Sequence, residues 1–299
     1  MSSYENKTAI ITGGAEGIGL AVARSYGERG MNIVVADIDE AQMALGVKEL
    51  TDLGIKAIGL PLDVVEPSQW QDVVTKTQSE FGDIHFLLNN AGVSGMPGPI
   101  EKTKHNDWRW VLDVNLMGVV YGAEAVVPAI KQHGQGGWMV NVASMAGMSG
   151  VPYANAYTAT KVAVVGMSES WRAELKKDNI LVSVLCPAFV KTRIHLSYRN
   201  RQEQYRGAPK SERPASAKPS SPAKNPGAEF VENGIDPRIV GERVVEAVEA
   251  REMYIFTHPM NRELVQKRSK AIDDAFARAQ ASPLLADVKD EAPISFDIG

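Results

Sequence analysis

Thr12-Gly-Gly-Ala-Glu-Gly-Ile-Gly19 follows the apolar run Thr8-Ala-Ile-Ile-Thr12 and opens an amphipathic stretch from about Gly17 to Arg29. Its glycines at 13, 17 and 19 are spaced G-x-x-x-G-x-G. Such a turn lets backbone N–H groups approach an anion without Cβ obstruction, and the following helix N-terminus adds positive potential. Taken alone, the spacing also suits a plain glycine-rich loop. Its place between a strand and a helix, with an acidic residue closing the next strand, points to a dinucleotide pyrophosphate. Gly13, Glu16, Gly17, Ile18 and Gly19 are the candidate contacts. The acidic residue is Asp37, ending Asn32-Ile-Val-Val-Ala-Asp37. A carboxylate there accepts both adenosine ribose hydroxyls and repels a 2′-phosphate, while its plainer role is to cap the next turn. Ile38, Asp39 and Glu40 follow with no Arg or Lys, and Glu16 adds negative charge in the loop. NAD is therefore expected rather than NADP.

Outward from this turn, short apolar runs alternate with longer amphipathic ones. Ile55 to Leu60, Ile84 to Asn89, Trp138 to Val142, Ile180 to Leu185 and Met253 to Phe256 read as further strands, about seven in all. Ala41 to Leu53 and Pro67 to Phe81 read as helices. The strands are almost continuously apolar, as expected when both faces are buried. The alternation predicts an α/β fold of Rossmann type, a doubly wound parallel sheet with helices on both faces. Residues 1–281 read as one dinucleotide-binding and catalytic domain, with an irregular tail at 282–299. Gly207 to Gly227 interrupts the pattern with five Pro, four Ser and four Ala, and reads as a Pro-rich insertion. Asp236 and Pro237 then cap a helix to Ala250, and Asn261 to Ala281 forms a last amphipathic helix with Leu264, Ile272 and Phe276 on one stripe.

Composition excludes other classes. The 299 residues carry 32 Lys+Arg against 36 Asp+Glu, a net charge of -4. That balance argues against non-specific nucleic-acid binding and against a polybasic membrane anchor. The single Cys186 permits neither an intrachain disulfide nor a Cys-based zinc site, and no metal is expected. Apolar runs are short or broken, as by Glu124 within Gly118 to Ile130, and Thr8 to Thr12 is too short for a signal-peptide core. A cytoplasmic location is expected.

Tyr157-Thr-Ala-Thr-Lys161 places a phenol and an ammonium at i and i+4, on one face of a helix. A lysine there favours the phenolate and lowers the tyrosine pKa, which suits proton transfer with an alcohol oxygen. The same spacing also occurs in ordinary surface pairs. Together, Thr12 to Gly19, Asp63-Val64, Asn89-Asn-Ala-Gly92, Asn115, Ser144 and Tyr157 with Lys161 resemble the short-chain dehydrogenase/reductase family in order and spacing. The resemblance covers about residues 5 to 195. It implies cofactor contacts at Asp63, Val64, Asn90, Ala91, Gly92, Tyr157, Lys161, Pro187, Val190 and Thr192. Asp63 would meet the adenine and Thr192 the nicotinamide carboxamide. It also implies catalysis by Asn115, Ser144, Tyr157 and Lys161. Asn115 would hold a relay water, Ser144 would bond the substrate oxygen, Tyr157 would be the acid/base, and Lys161 would bind the nicotinamide ribose and tune Tyr157. In this family Pro187 is usually followed by glycine; here Ala188 stands there and would be strained if the site needs φ > 0.

The substrate pocket is expected over the nicotinamide, from Val93 to Pro97, Met145 to Tyr153 and Phe189 to about Arg206. Met145, Val151, Tyr153 and Phe189, with Ser144, are the candidate substrate contacts, alongside Met96 and Met148; core packing is the alternative for these apolar residues. Arg193, His195, Arg199, Arg201 and Arg206 form a positive cluster, suited to a substrate anion or to plain solvation. Ile194-His195, Asn200 to Arg206, Tyr254 to His258 and Asn261-Arg-Glu263 resemble a long-tailed branch of the family that includes Cα-dehydrogenases of lignin-derived aryl ether alcohols. The implied reaction is NAD-dependent oxidation of a secondary, benzylic alcohol to a ketone. A ketone reductase or a dehydrogenase for steroid or acyl substrates is the rival, and a non-catalytic dinucleotide sensor the remaining alternative. The resemblance also implies a homodimer or homotetramer, built on helices near Asn106 to Ile130 and Asn155 to Lys177.

Overall fold

The computed structural model describes residues 4–206 and 226–288. The Pro-rich insertion at 207–227 lies outside them, save that residues 226 and 227 open a short helix. Seven parallel strands form one sheet in the order β3-β2-β1-β4-β5-β6-β7. They are β1 (Thr8–Thr12), β2 (Asn32–Asp37), β3 (Ala57–Pro61), β4 (Phe86–Asn89), β5 (Gly137–Val142), β6 (Ile180–Cys186) and β7 (Tyr254–Phe256). The helices are α1 (Gly17–Gly27), α2 (Glu40–Asp52), α3 (Pro67–Phe81), α4 (His105–Leu112), α5 (Gly118–His133), α6 (Met145–Met148), α7 (Asn155–Leu175), α8 (Pro226–Glu232), α9 (Pro237–Glu249) and α10 (Arg262–Gln280).

The two-sided burial explains why the strands lack polar alternation. On β1, Ile11 packs with α1, α2 and α9 through Val22, Leu50 and Val244. Its neighbour Ile10 points the other way, into Trp70 of α3, Trp110 of α4 and Val126 of α5. Successive side chains of a strand must face opposite layers, so both kinds of position are apolar. β1 pairs with β2 on one side and β4 on the other, so the chain reverses direction across the sheet at this point. The crevice there, at the strand C-termini, is where such sheets bind ligands. The run His105–His133 is long and apolar enough to cross a membrane, yet half of it is buried here, as in a core helix.

Caps follow the residues. Asp236 accepts the Arg238 N–H, with Pro237 in the first turn of α9. Positive φ occurs at four non-glycine residues among those described, Asn6, Tyr153, Asn179 and Arg251. Ala188 is not one of them, so the expected strain after Pro187 does not arise: the loop leaves β6 in a conformation open to any L-residue. α10 falls where the periodicity placed it, and Leu264, Ile272 and Phe276 of its apolar stripe are all exposed.

At the opposite edge of β4 and β1, Asp83, His85 and His133 gather around Gln135. Their donor set is spent on hydrogen bonds. His85 Nδ1 accepts the Thr8 N–H and its Nε2 meets Gln135 Oε1, while His133 bonds the Ile84 carbonyl and the Gln135 N–H. Burial holds the His85 pKa below its ordinary value of 6.5. The unfolded chain therefore takes up this proton more readily. Stability from neutral His85 is complete above about pH 6.5 and lost as pH falls through the lower folded value. The urea midpoint of the native protein should drop between pH 7.5 and pH 5, and the drop should shrink in His85→Gln.

Candidate active site

A cavity of about 670 Å³ opens at the C-terminal edge of β1, β4, β5 and β6. Its dinucleotide end is the glycine turn. Gly13 and Gly17 both adopt φ of +58. Gly19 does not line the cavity; its role is close packing. A Cβ on Gly19 would stand 2.3 Å from the Gly13 carbonyl oxygen and 2.7 Å from Asn90 Nδ2. Asn90 in turn locks the loop, donating from Nδ2 to the carbonyls of Thr12 and Gly13, each at 2.9 Å. Thr12 Oγ1 accepts the N–H groups of Asn90 and Ala91. The two motifs, more than seventy residues apart, are thus one rigid cradle. Gly92 and Ala91 wall it, with Val64, Ile18, Pro187 and Val190 also lining. Thr192 lies over Gly17, where a Cβ would come within 3.0 Å of its methyl group.

Asp37 closes the ribose end. It is buried and accepts the Ala15 N–H on one oxygen and the Asp39 N–H on the other. Each oxygen keeps a free lone pair for a hydroxyl donor. Burial holds the carboxyl pKa above its usual value, against the lowering effect of the two N–H groups. The capping of α2 falls to Asp39, which accepts the Gln42 N–H. Asp37 also fills its plainer role, capping the turn that follows β2 through the Asp39 N–H.

The catalytic end is built on α5, β5 and α7. Ser144 ends the loop after β5 and caps α6 by accepting the Ala146 N–H. The Ser144 hydroxyl also donates to the Pro187 carbonyl at 3.5 Å, and it is near enough to lower the Tyr157 pKa. Lys161 Nζ donates to the Val142 carbonyl at 2.8 Å and sits 5.5 Å from the Tyr157 ring centroid. Asn115 lies behind them on a π-turn, Asp113–Met117, between α4 and α5. Its amide bonds both backbone groups of Val93, accepting the N–H and donating to the carbonyl. Asn115 does not line the cavity itself; it fixes the loop that does.

The titration of the pair differs from the expected one. Burial raises the Tyr157 pKa above its usual 10, with the Ser144 hydroxyl opposing it. Burial also lowers Lys161 to about 8. Desolvation of both groups outweighs the mutual attraction that the i, i+4 spacing suggested. Cys186, buried next to them, is pushed up to about 12 by burial and is an unreactive thiol.

Of the candidate substrate contacts, Ser144, Met145, Val151 and Phe189 line the cavity. Tyr153 does not: it turns out to solvent with φ +67 and is 63% exposed. Met148 packs into the core, and Met96 is exposed outside the lining. The arginine cluster is spent on the protein. Arg193 and Arg199 both pair with Glu16, and Arg193 also bonds Gln42. They offset the negative charge Glu16 was expected to bring to the ribose end. Arg201 is 4% exposed, pairs with Asp107 and stacks on Trp110. Gln202 donates to both oxygens of Asp63 at 2.9 Å and accepts from Trp110 Nε1. Residues 193 to 206 therefore form a strap across the cleft. Gln202 was missed from sequence because its importance lies in a partner 139 residues away.

The chain is similar in sequence and fold to known proteins. A family model described as short chain dehydrogenase matches residues 7–203. A C alpha-dehydrogenase of Sphingobium sp. (strain NBRC 103272 / SYK-6) is 34% identical over 286 residues, 95% of this chain and 90% of that one. A CLA biosynthesis dehydrogenase/reductase of Lactiplantibacillus plantarum is 32% identical, covering 91% of this chain and 95% of the relative. A short chain dehydrogenase/reductase from Burkholderia phymatum, solved in complex with NAD, superposes with a TM-score of 0.82 at 32% identity, covering 98% of this chain and all of that one.

Proposed function

This chain belongs to the short-chain dehydrogenase family of oxidoreductases, and from that premise we propose that it oxidises a secondary alcohol of benzylic type to a ketone with NAD. The observation that carries the reading is one cavity joining Ser144, Tyr157 and Lys161 at one end to the glycine cradle and Asp37 at the other. The residues fit a dinucleotide: the cradle is too close for any Cβ at Gly19, and buried Asp37 holds unused lone pairs.

When bound, NAD supplies the hydride acceptor. The chain's own residues handle the proton and the position. The Ser144 hydroxyl holds the substrate oxygen beside the Tyr157 phenol. Tyr157, as phenolate, takes the hydroxyl proton while the C–H bond yields its hydride. Lys161, anchored on the Val142 carbonyl and 5.5 Å from the Tyr157 ring centroid, would hold the nicotinamide ribose. Asn115 sets this geometry by fixing Val93. Thr192 and Asp63 would complete the cofactor contacts, with Gln202 orienting the Asp63 carboxylate. Met145, Val151 and Phe189 give the substrate an apolar surface suited to an aryl group.

Similarity to the Sphingobium C alpha-dehydrogenase favours an aryl alcohol. The test is a panel of aryl, steroid and aliphatic secondary alcohols, each with NAD and NADP. Fastest turnover is expected with an aryl alcohol and NAD; no turnover with any pair would overturn the reading, and a steroid optimum would move the substrate class. Asp37→Ala tests the cofactor part. It removes charged hydrogen bonds to the ribose and the repulsion of a 2′-phosphate, so kcat/KM for NAD should fall ~10–100-fold while that for NADP rises.

A further inference from the structure

Around Asp63 the cavity is walled by Leu62, Val64, Trp110, Val114 and Gln202. Of these, Gln202 alone comes from the strap. Its amide is held at both ends. Trp110 Nε1 can only donate, so the Gln202 oxygen must face it, at 3.1 Å. The nitrogen is thereby turned to Asp63, 2.9 Å from each carboxylate oxygen. The reverse orientation would set a carbonyl against a carboxylate and a donor against a donor, so the partners fix which way the amide points.

The Asp63 side chain has little else to orient it. Its N–H donates to Gln69 Oε1 at 2.7 Å, which fixes the backbone. On the carboxylate, Oδ1 also accepts the Val65 N–H, at 3.3 Å. A carboxylate carries about four lone-pair sites. With Gln202 on both oxygens and Val65 on one, Oδ2 keeps a lone pair for a donor. An amino group is such a donor and a carbonyl is not. The strap is pinned on either side of Gln202. Arg201 pairs with Asp107, and Tyr205 donates its hydroxyl to Asp113 at 2.7 Å. Gln202 is therefore the fixed member of the pair, and the Asp63 carboxylate is the member it holds.

We propose that Gln202 is a positioning residue that sets the base specificity of the dinucleotide. By fixing the Asp63 carboxylate, it makes the site select a purine with a 6-amino group over one with a 6-oxo group. This rests on the reading that Asp63 meets the adenine, and Gln202 acts through Asp63. The strap that carries Gln202 also walls the substrate side of the cavity, through Ile194 and His195. One segment thus serves both ends of the cleft.

The test uses the full chain and reads two dissociation constants by calorimetry. One is for NAD, the other for nicotinamide hypoxanthine dinucleotide, which carries a 6-oxo group in place of the amine. The native chain should prefer NAD by at least about tenfold, the scale of one hydrogen bond to a charged group. Gln202→Met keeps the side-chain length and offers Trp110 a weak sulfur acceptor, yet has no donor for Asp63. The preference should fall to within about threefold, chiefly through weaker NAD binding. Gln202→Glu keeps the acceptor for Trp110, and so the strap in place, but meets Asp63 with like charge. It should lose the preference as well. Asp63→Ala should do the same, and adding Gln202→Met to it should change the ratio no further. A role confined to holding the strap would weaken both dinucleotides alike and leave the ratio as it was. A native ratio in either Gln202 variant would overturn the proposal. Equal binding of both dinucleotides by the native chain would overturn it too, by removing the reading of Asp63 beneath it. Neither result bears on alcohol oxidation, which the alcohol panel tests.

Discussion

Replacing Tyr157 by Phe should lower turnover by about 10²–10⁴-fold while leaving dinucleotide binding nearly intact. The phenol oxygen is the group the reaction needs, and the ring is the part that packs. Phe keeps the contact with the surrounding core and removes only the acid/base. The measurement is kcat for the best alcohol of the panel together with the Kd for NAD. Turnover within threefold of the native value would remove Tyr157 from the mechanism. The pH profile carries a second check. Burial holds Tyr157 above 10 and brings Lys161 to about 8. Oxidation needs the pair to have lost a proton, so its rate should rise from pH 7 through about 8 and beyond. Reduction of the ketone needs the proton present and should run the other way. Tyr157→Phe should flatten both slopes.

Gly19→Val should abolish dinucleotide binding and cost about 3 kcal/mol of stability. The Cβ alone would lie 2.3 Å from the Gly13 carbonyl oxygen, a distance no packed atom tolerates. Relief requires the turn to open, and opening breaks the bonds from Asn90 to Thr12 and Gly13. A cradle displaced by an ångström no longer presents its N–H groups to a diphosphate. The loss in NAD affinity should reach at least about 100-fold by calorimetry, which is about 2.7 kcal/mol of binding free energy. A variant that keeps native affinity would show that the turn is less rigid than its contacts indicate. Tyr157→Phe spares binding and destroys chemistry; Gly19→Val does the reverse of the first half, and the pair separates the two ends of the cavity.

The strands and the glycine turn were legible because burial on both faces and close backbone approach leave a local mark on residue type. α3 fell at Pro67–Phe81 as expected, with Pro67 starting it. β3 began two residues later than expected, because Ile55 and Lys56 precede the pairing with β2. The π-turn at Asp113–Met117 left no such mark. It depends on Asn115 reaching Val93, a contact made only once the sheet has formed. The same holds for the arginines at 193, 199 and 201. Their residue type announces charge, but Glu16 and Asp107 decide where it goes. The burial-driven shifts at Tyr157 and Lys161 escape the sequence for a related reason: spacing reveals a neighbour, and only the folded chain reveals the water that has been removed. On α10 the periodicity marks the helix, and Leu264, Ile272 and Phe276 of its stripe are exposed.

The amide of Asn90 reaches two carbonyls of the glycine turn, and Gly19 leaves no room between them. Neither stretch can drift on its own. A change at 13 or 19 that shifts the turn strands the Asn90 donor, and a change at Asn90 leaves two carbonyls bare. Positions 12, 13, 19 and 90 should therefore be inherited as one block, varying together in descendants of this chain or not at all. The loops at 94–97 and 145–153, whose bonds run to Ser197, Pro187 and Thr158 and not to the cradle, are where descendants are free to diverge in what they oxidise.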